Sequence, residues 1–212
     1  EVKVARAEQG LPDGFLFLFV FDFLSSIERK NPIGLIEAFG QAFRPGEGPA
    51  LVLKSINGPL APGAFEAVRA AACGRPDVIV RDAYVPARER DALMNACDCY
   101  VSLHRAEGFG LTLAEAMALG KPTIATGYSG NLAFMSPENS FLVSCAPGRV
   151  PPGCGPYPPG AAWGEPDLTE AAALMRFVYE NPLLAQERGR RARASVVEQF
   201  SPERTTAFIR ER

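Results

Sequence analysis

The run Phe15-Leu16-Phe17-Leu18-Phe19-Val20-Phe21 restricts the fold of this chain more than any other stretch. Seven consecutive apolar residues, closed by Gly14 and Asp22, present no polar face to water. A strand of that kind has to be covered above and below, which predicts the interior of a parallel sheet with helices on both faces. The run is about a third of a membrane span, too short for a transmembrane helix. Five further short apolar runs follow at Ala50–Ile56, Val78–Arg81, Cys99–Leu103, Thr123–Thr126 and Phe141–Val143, each bounded by turn residues.

Helical patterns lie between the runs. Asn31 is placed to cap a helix with Pro32 at its first position, running towards Phe43 with Ile33, Ile36, Ala38 and Phe39 inward. Others are predicted over Ala64–Ala72, Arg88–Ala96, Leu111–Leu119 and, briefly, Asn131–Phe134. This alternation predicts an α/β fold: a Rossmann-like, doubly wound parallel sheet of about six strands with right-handed crossovers and extra C-terminal helices. Ligands of such sheets bind beyond the carboxyl ends of the strands, near the point where strand order reverses. Asp22–Lys30, Lys54–Gly58, His104–Gly110 and Gly127–Asn131 all fall there.

After Val143 the texture changes. Ser144–Pro166 holds seven of the 19 prolines and five glycines, which predicts a long structureless connection, either a functional loop or a disordered one. In it, Tyr157 and Trp163 are candidates for an aromatic lid or, the favoured role, for anchoring the loop to the core. Helices are then expected from Asp167 to about Tyr179, from Asn181-Pro182 to about Gln199, and again from Ser201-Pro202.

The net charge of −2 provides no basic field for nucleic acid or anionic lipid. Five cysteines without a C-x-x-C pair, and one histidine, supply a zinc site poorly, so small buried thiols in a reducing cytoplasm are expected. With no visible leader or anchor, the expected location is cytoplasmic.

The most informative segment for chemistry is Glu107-Gly108-Phe109-Gly110-Leu111-Thr112-Leu113-Ala114-Glu115, two carboxylates eight positions apart around Gly-Phe-Gly. A strand, a glycine-bearing turn and a helix start can present backbone N–H groups to a phosphate. Six helical positions span only about 7.5 Å, so Glu107 in the turn and Glu115 in the helix can address opposite ends of one elongated ligand. Arg29 and Lys30 beyond the first strand and Lys54 at the end of the second are candidate cations for a diphosphate. No Asp-x-Asp pair of the kind that carries a metal in metal-dependent sugar transferases is present. Spacing alone leaves a tight turn with helix-surface carboxylates as an alternative.

Residue by residue, this segment resembles the E-x7-E segment of glycosyltransferase family 4. The resemblance continues through Thr123-Ile124-Ala125-Thr126-Gly127-Tyr128-Ser129-Gly130-Asn131, and upstream through Asp22-Phe23, Ser25…Glu28-Arg29-Lys30-Asn31-Pro32 and Leu51-Val52-Leu53-Lys54. It implies residues 14–212 as the donor-binding half of a GT-B fold, and residues 1–13 as a linker from an N-terminal acceptor domain. It implies a retaining, metal-independent hexosyl transfer from a nucleotide-diphosphate sugar, with no other cofactor. It assigns Glu107 and the amides of Phe109 and Gly110 to the donor sugar and phosphates, and Lys30 matches its phosphate-contacting lysine. Beside the resemblance, the Gly108–Thr112 amides, those of Leu111 and Thr112 included, offer the donor the positive end of a helix dipole, and Arg29 is a further catalytic candidate by its charge. Glu115 falls to the ribose hydroxyls, and Tyr84-Val85 to the base. For Tyr84, packing in the core is an equal alternative. His104 is either a donor to sugar or phosphate or a structural hydrogen-bonding residue. The chain departs from the family pattern at Leu24-Ser25, where an arginine is usual; Arg29 or Lys54 is expected to compensate.

Two other classes stay open: a module that holds a nucleotide or glycan without transfer, and a different nucleotide-dependent α/β enzyme such as an epimerase. Asp22-Phe23-Leu24-Ser25 stands where a dinucleotide fingerprint would place glycines, which argues against NAD chemistry.

Overall fold

A computed structural model describes residues 6–201 together with 204 and 206. Its strands are β1 (Leu16–Asp22), β2 (Ala50–Ile56), β3 (Val78–Asp82), β4 (Cys99–Ser102), β5 (Thr123–Thr126) and β6 (Phe141–Val143), then β7 (Cys145–Arg149) and β8 (Ala162–Pro166). Its helices are α1 (Ile27–Lys30), α2 (Pro32–Ala42), α3 (Pro62–Ala72), α4 (Ala87–Ala96), α5 (Leu111–Ala118), α6 (Leu168–Glu180) and α7 (Pro182–Gln199). The first six strands form one all-parallel sheet in the order β3-β2-β1-β4-β5-β6.

Strand order reverses between β1 and β4. Right-handed crossovers then put α2 and α3 on one face and α4 and α5 on the other. This is why the apolar run needs no polar side. Leu16, Phe17, Leu18 and Phe19 are all essentially inaccessible. On one face Phe17 packs against Phe39 and Phe43 of the α2 end, and Tyr179 of α6 closes the cluster edge-on against Phe15 and Phe43.

The local signals act as their chemistry predicts. Asn31, in the left-handed region at φ 55°, accepts from Gly34 N and starts α2 at Pro32. Asp167 accepts from Thr169 N and Glu170 N to start α6. In α2 the inward stripe is Leu35, Ala38, Phe39 and Ala42, joined by Ile36. Ile33, expected inward, is 40% exposed, since at 100° per residue it lies nearly opposite Leu35. The expected helix at Asn131–Phe134 is a 3-10 turn, Gly130–Ala133. The helix expected from Ser201-Pro202 lies outside the described residues.

The Ser144–Pro166 stretch is not structureless. β7 and β8 pair antiparallel, with Pro147 opposite Gly164 and Pro166 opposite Cys145. A two-stranded ribbon tolerates these prolines because each strand has an outward side that needs no ladder donors. Val150, Cys154 and Trp163 form a small core of their own beneath it, so Trp163 anchors the segment. Within the expected linker, Arg6–Gln9 form a short 3-10 turn, Leu11 is buried, and Arg6 pairs with Asp98 at 2.6 Å. That segment is docked on the sheet over residues 6–13. No helix of the described residues is long and apolar enough to cross a membrane.

Candidate functional site at the strand-order switch

The reversal between β1 and β4 leaves a crevice beyond their carboxyl ends, where neighbouring connections diverge. α1 follows β1 and the Leu103–Gly110 loop follows β4, and one backbone and two side-chain hydrogen bonds stitch the two together. Arg105 N donates to Arg29 O at 2.8 Å, Arg29 Nη1 to Ala106 O at 2.8 Å, and Asn31 Nδ2 to Leu103 O at 2.9 Å. Glu107 is thereby held against α1. Lys30 Nζ donates to its Oε1, and Arg29 Nη1 stands 3.4 Å from its Oε2. Only 11–14% of each of the three side chains is accessible, so the charges compensate one another in a partly dehydrated place.

A cavity of about 460 Å³ adjoins this cluster. Lys30, Lys54, Tyr84, Val85, Leu111, Thr112 and Glu115 all line it, with Asp22, Ser25 and Arg90 at its walls. The ends of β1, β2 and β3 and the start of α5 thus bring together seven residues from four distant segments of the chain. Glu115 is exposed on α5 within this cavity, while Glu107 stands one ion pair beyond Lys30. Glu115 thus lines the cavity itself, and Glu107 is joined to it through Lys30.

Gly110 begins α5 at φ 91°, a left-handed conformation that favours glycine, and it carries no side chain to cap the helix. The first amides of α5 therefore have no intrahelical acceptor and form the positive end of the helix dipole at the cavity wall. Phe109 turns its ring inward, 5.0 Å from Phe134 and 5.4 Å from Phe200, which fixes the turn from behind. Gly108 is exposed at the tip.

Tyr84 is 75% exposed, which rules out the core alternative. Its hydroxyl donates to Asn57 Oδ1 at 2.6 Å, and Asn57 Nδ2 to Asp22 Oδ1 at 2.8 Å, linking the exits of β3, β2 and β1. Lys54 is placed differently from expectation. It lies inside β2 rather than at its end and is 5% exposed, and its ammonium donates to the carbonyls of Ser55 and Ala83. Burial lowers its pKa, opposed by Asp82 and Glu89. Its geometry fixes the β3 exit that carries Tyr84-Val85 rather than freeing a cation for phosphate.

His104 is fully buried, with both ring nitrogens engaged. Nε2 faces two acceptors, Asn131 Oδ1 at 3.1 Å and Tyr128 O at 3.3 Å, so the proton resides there and Nδ1 accepts from Ser102 Oγ at 3.1 Å. The geometry is that of the structural alternative, joining the β4 and β5 exits. Burial lowers the His104 pKa, against the opposing pull of Glu107, with Lys30 lowering it further. A base held neutral in the fold but free to protonate when unfolded gives stability that is complete above about pH 6.5 and declines below it. Unfolding free energy should fall from about pH 6.5 to about pH 5.5 by up to about 1.4 kcal/mol per pH unit. His104→Gln should flatten that part of the profile, which is clean because the chain has one histidine. An unchanged slope in the variant would contradict the assignment.

Three contributors lay in segments the sequence placed at the strand ends but gave no role of their own. Ser129 Oγ accepts from Glu107 N at 2.8 Å, and Gly130 N donates to Glu107 O at 3.0 Å, so the β5 exit supports the Glu107 turn. Arg105 braces the same turn from the far side, donating to Glu28 O at 2.6 Å and Glu165 Oε2 at 2.7 Å. One signal is geometric: among the described residues, the non-glycine ones with positive φ, Ser26, Asn31, Asn57 and Ser129, all follow sheet strands at this one edge. Strain of this kind persists only where the surroundings enforce it. Among the described residues, no group of three or more His, Cys, Asp or Glu is placed to hold a metal ion.

The comparisons agree with this frame. Trehalose synthase of Pyrococcus horikoshii is 29% identical over 117 residues, 55% of this chain but 23% of that protein. Anabaena Alr3699/HepE, solved in complex with UDP, superposes with a TM-score of 0.73 at 19% identity, over 97% of this chain and 50% of its own. The C-terminal domain of the group 1 family glycosyl transferase LpcC from Francisella tularensis gives 0.66 at 17% identity, over 92% of this chain and 89% of that one. The chain thus spans about half of the HepE chain, and the architecture is one half of a GT-B fold. The family pattern of glycosyl transferases group 1 matches residues 6–145, and the chain belongs to that family.

Proposed function

We propose that this chain is the donor-binding domain of a retaining glycosyltransferase of the family 4 type. In this reading it takes the sugar of a nucleotide-diphosphate donor and passes it to an acceptor held by a second, N-terminal domain. The observation that carries the reading is the cavity at the strand-order switch, where Tyr84, Val85, Lys30, Thr112 and Glu115 converge, with Glu107 just beyond. The base lies against Tyr84-Val85 and the ribose hydroxyls donate to Glu115. The diphosphate faces Lys30 and the start of α5, and the sugar reaches Glu107. Charge growing on the leaving diphosphate is met by the ammonium and the helix dipole, so the domain needs no divalent metal. The acceptor attacks the anomeric carbon on the face from which the diphosphate departs, and no side-chain base from this half is required.

Titration calorimetry with UDP, GDP and ADP and their glucose conjugates, with and without EDTA, tests this. One diphosphate should bind, modestly, and equally in EDTA. Glu115→Ala should weaken it by about 1.5–3 kcal/mol, the worth of hydrogen bonds to a carboxylate. Binding that requires Mg²⁺ would overturn metal independence, and an unchanged affinity in a folded Glu115→Ala would overturn the ribose assignment.

A further inference from the structure

One element outside the parallel sheet reaches the Glu107 end of the crevice: the β7–β8 hairpin with its connecting segment. Ala106 and Tyr128 pack on its small core, and Gly164 N donates to Arg105 O at 2.9 Å. Two arginines of the site loops lie over its aromatic rings. The Arg105 guanidinium is 5.2 Å from the Trp163 ring centre, and that of Arg29 is 5.7 Å from the Tyr157 ring centre. The same Arg29 guanidinium donates to Ser25 O and Ala106 O and faces Glu107 Oε2, and the residue is 9% exposed. Among the described residues, none from 144 to 166 lines the nucleotide cavity. The hairpin therefore touches one end of the crevice only.

We propose that this hairpin is the wall of the sugar subsite, and that Tyr157 is its positioning residue. By lying beneath the Arg29 guanidinium the ring helps to hold it beside Glu107 Oε2, and so sets how the Glu107 carboxylate meets the hexosyl group. A cation over an aromatic face prefers that arrangement, and the preference grows as water is excluded. Tyr157 acts through Arg29 and has no part in holding the nucleotide. The proposal rests on the donor-site reading above.

The test compares the affinities of UDP, GDP or ADP, whichever binds, and of its glucose conjugate, for the parent chain, Tyr157→Leu and Tyr157→Phe. Tyr157→Leu should leave the bare diphosphate unchanged and cut the conjugate's advantage about 2- to 5-fold, the effect of one such contact. Tyr157→Phe should restore it, since the ring and not the hydroxyl stacks. Should Tyr157→Leu fail to fold, Arg29→Lys reads the same ratio, because it keeps the charge and removes the planar face. An unchanged ratio, an equal loss for both ligands, or a Phe variant that behaves like Leu would each overturn the role of Tyr157. A parent that binds the conjugate no better than the diphosphate overturns the sugar wall while the nucleotide site stands. A parent that binds none of the three overturns both.

Discussion

Glu107→Ala should lower the unfolding free energy by about 3 kcal/mol, the low end of what breaking one side of a buried ion pair costs. The reason is that Glu107 is shared. Removing its carboxylate strands the Arg29 and Lys30 charges together, each already largely shielded from water. Urea unfolding should show a lower midpoint with an unchanged slope. Glu107→Gln keeps the shape and one acceptor for Lys30, so a loss of about 2 kcal/mol is expected. The ligand response should separate from the stability response. With the carboxylate gone, Lys30 is free for phosphate, so bare diphosphate affinity should hold or rise while the sugar conjugate loses its advantage. A cost for Glu107→Ala below about 0.5 kcal/mol would mean that the pair is screened like a surface ion pair. Equal losses for diphosphate and conjugate would move Glu107 to the nucleotide.

Gly130→Ala should be of similar size, for a steric reason. A methyl group there would lie 2.0 Å from Gly108 O, 2.5 Å from its carbonyl carbon and 2.8 Å from Glu107 O. All three are backbone atoms and cannot rotate away. The loop must move, breaking the Gly130 N to Glu107 O bond and pulling Ser129 Oγ from Glu107 N. Overpacking together with one or two lost hydrogen bonds predicts about 3–4 kcal/mol, with loss of the sugar-dependent part of donor binding. Gly108→Ala is the control: nothing lies within 4 Å of a methyl group there, and a stability change within about 0.5 kcal/mol is expected. If Gly130→Ala is as mild as Gly108→Ala, the β5 exit does not support the Glu107 turn.

The sheet was readable because its signals are local. An apolar run between Gly14 and Asp22 can only be a covered strand, and Asn31-Pro32 can begin a helix with no help from elsewhere. The hairpin was unreadable for the opposite reason. Seven prolines and five glycines hide the strands, and what makes them pair is distant: Trp163 beneath Arg105, and Glu165 on the same guanidinium. Ile33 failed because it was grouped with Ala38 and Phe39, which lie across the helix from it at 100° per residue. Lys54 failed because a strand buried on both faces gives no hint of where a long side chain ends, and here two carbonyls capture it.

For the candidate site, residue chemistry pointed to the two carboxylates, the glycine-bearing turn between them and the cations after β1, since those depend on neighbours a few positions away. The tertiary structure alone decided which charges meet. Lys30 and Glu107 are 77 residues apart, and Glu107 and Ser129 are 22 apart. Such pairs form only where the reversal of strand order opens a crevice and desolvation makes each charge dependent on its partner, and no local propensity encodes either condition.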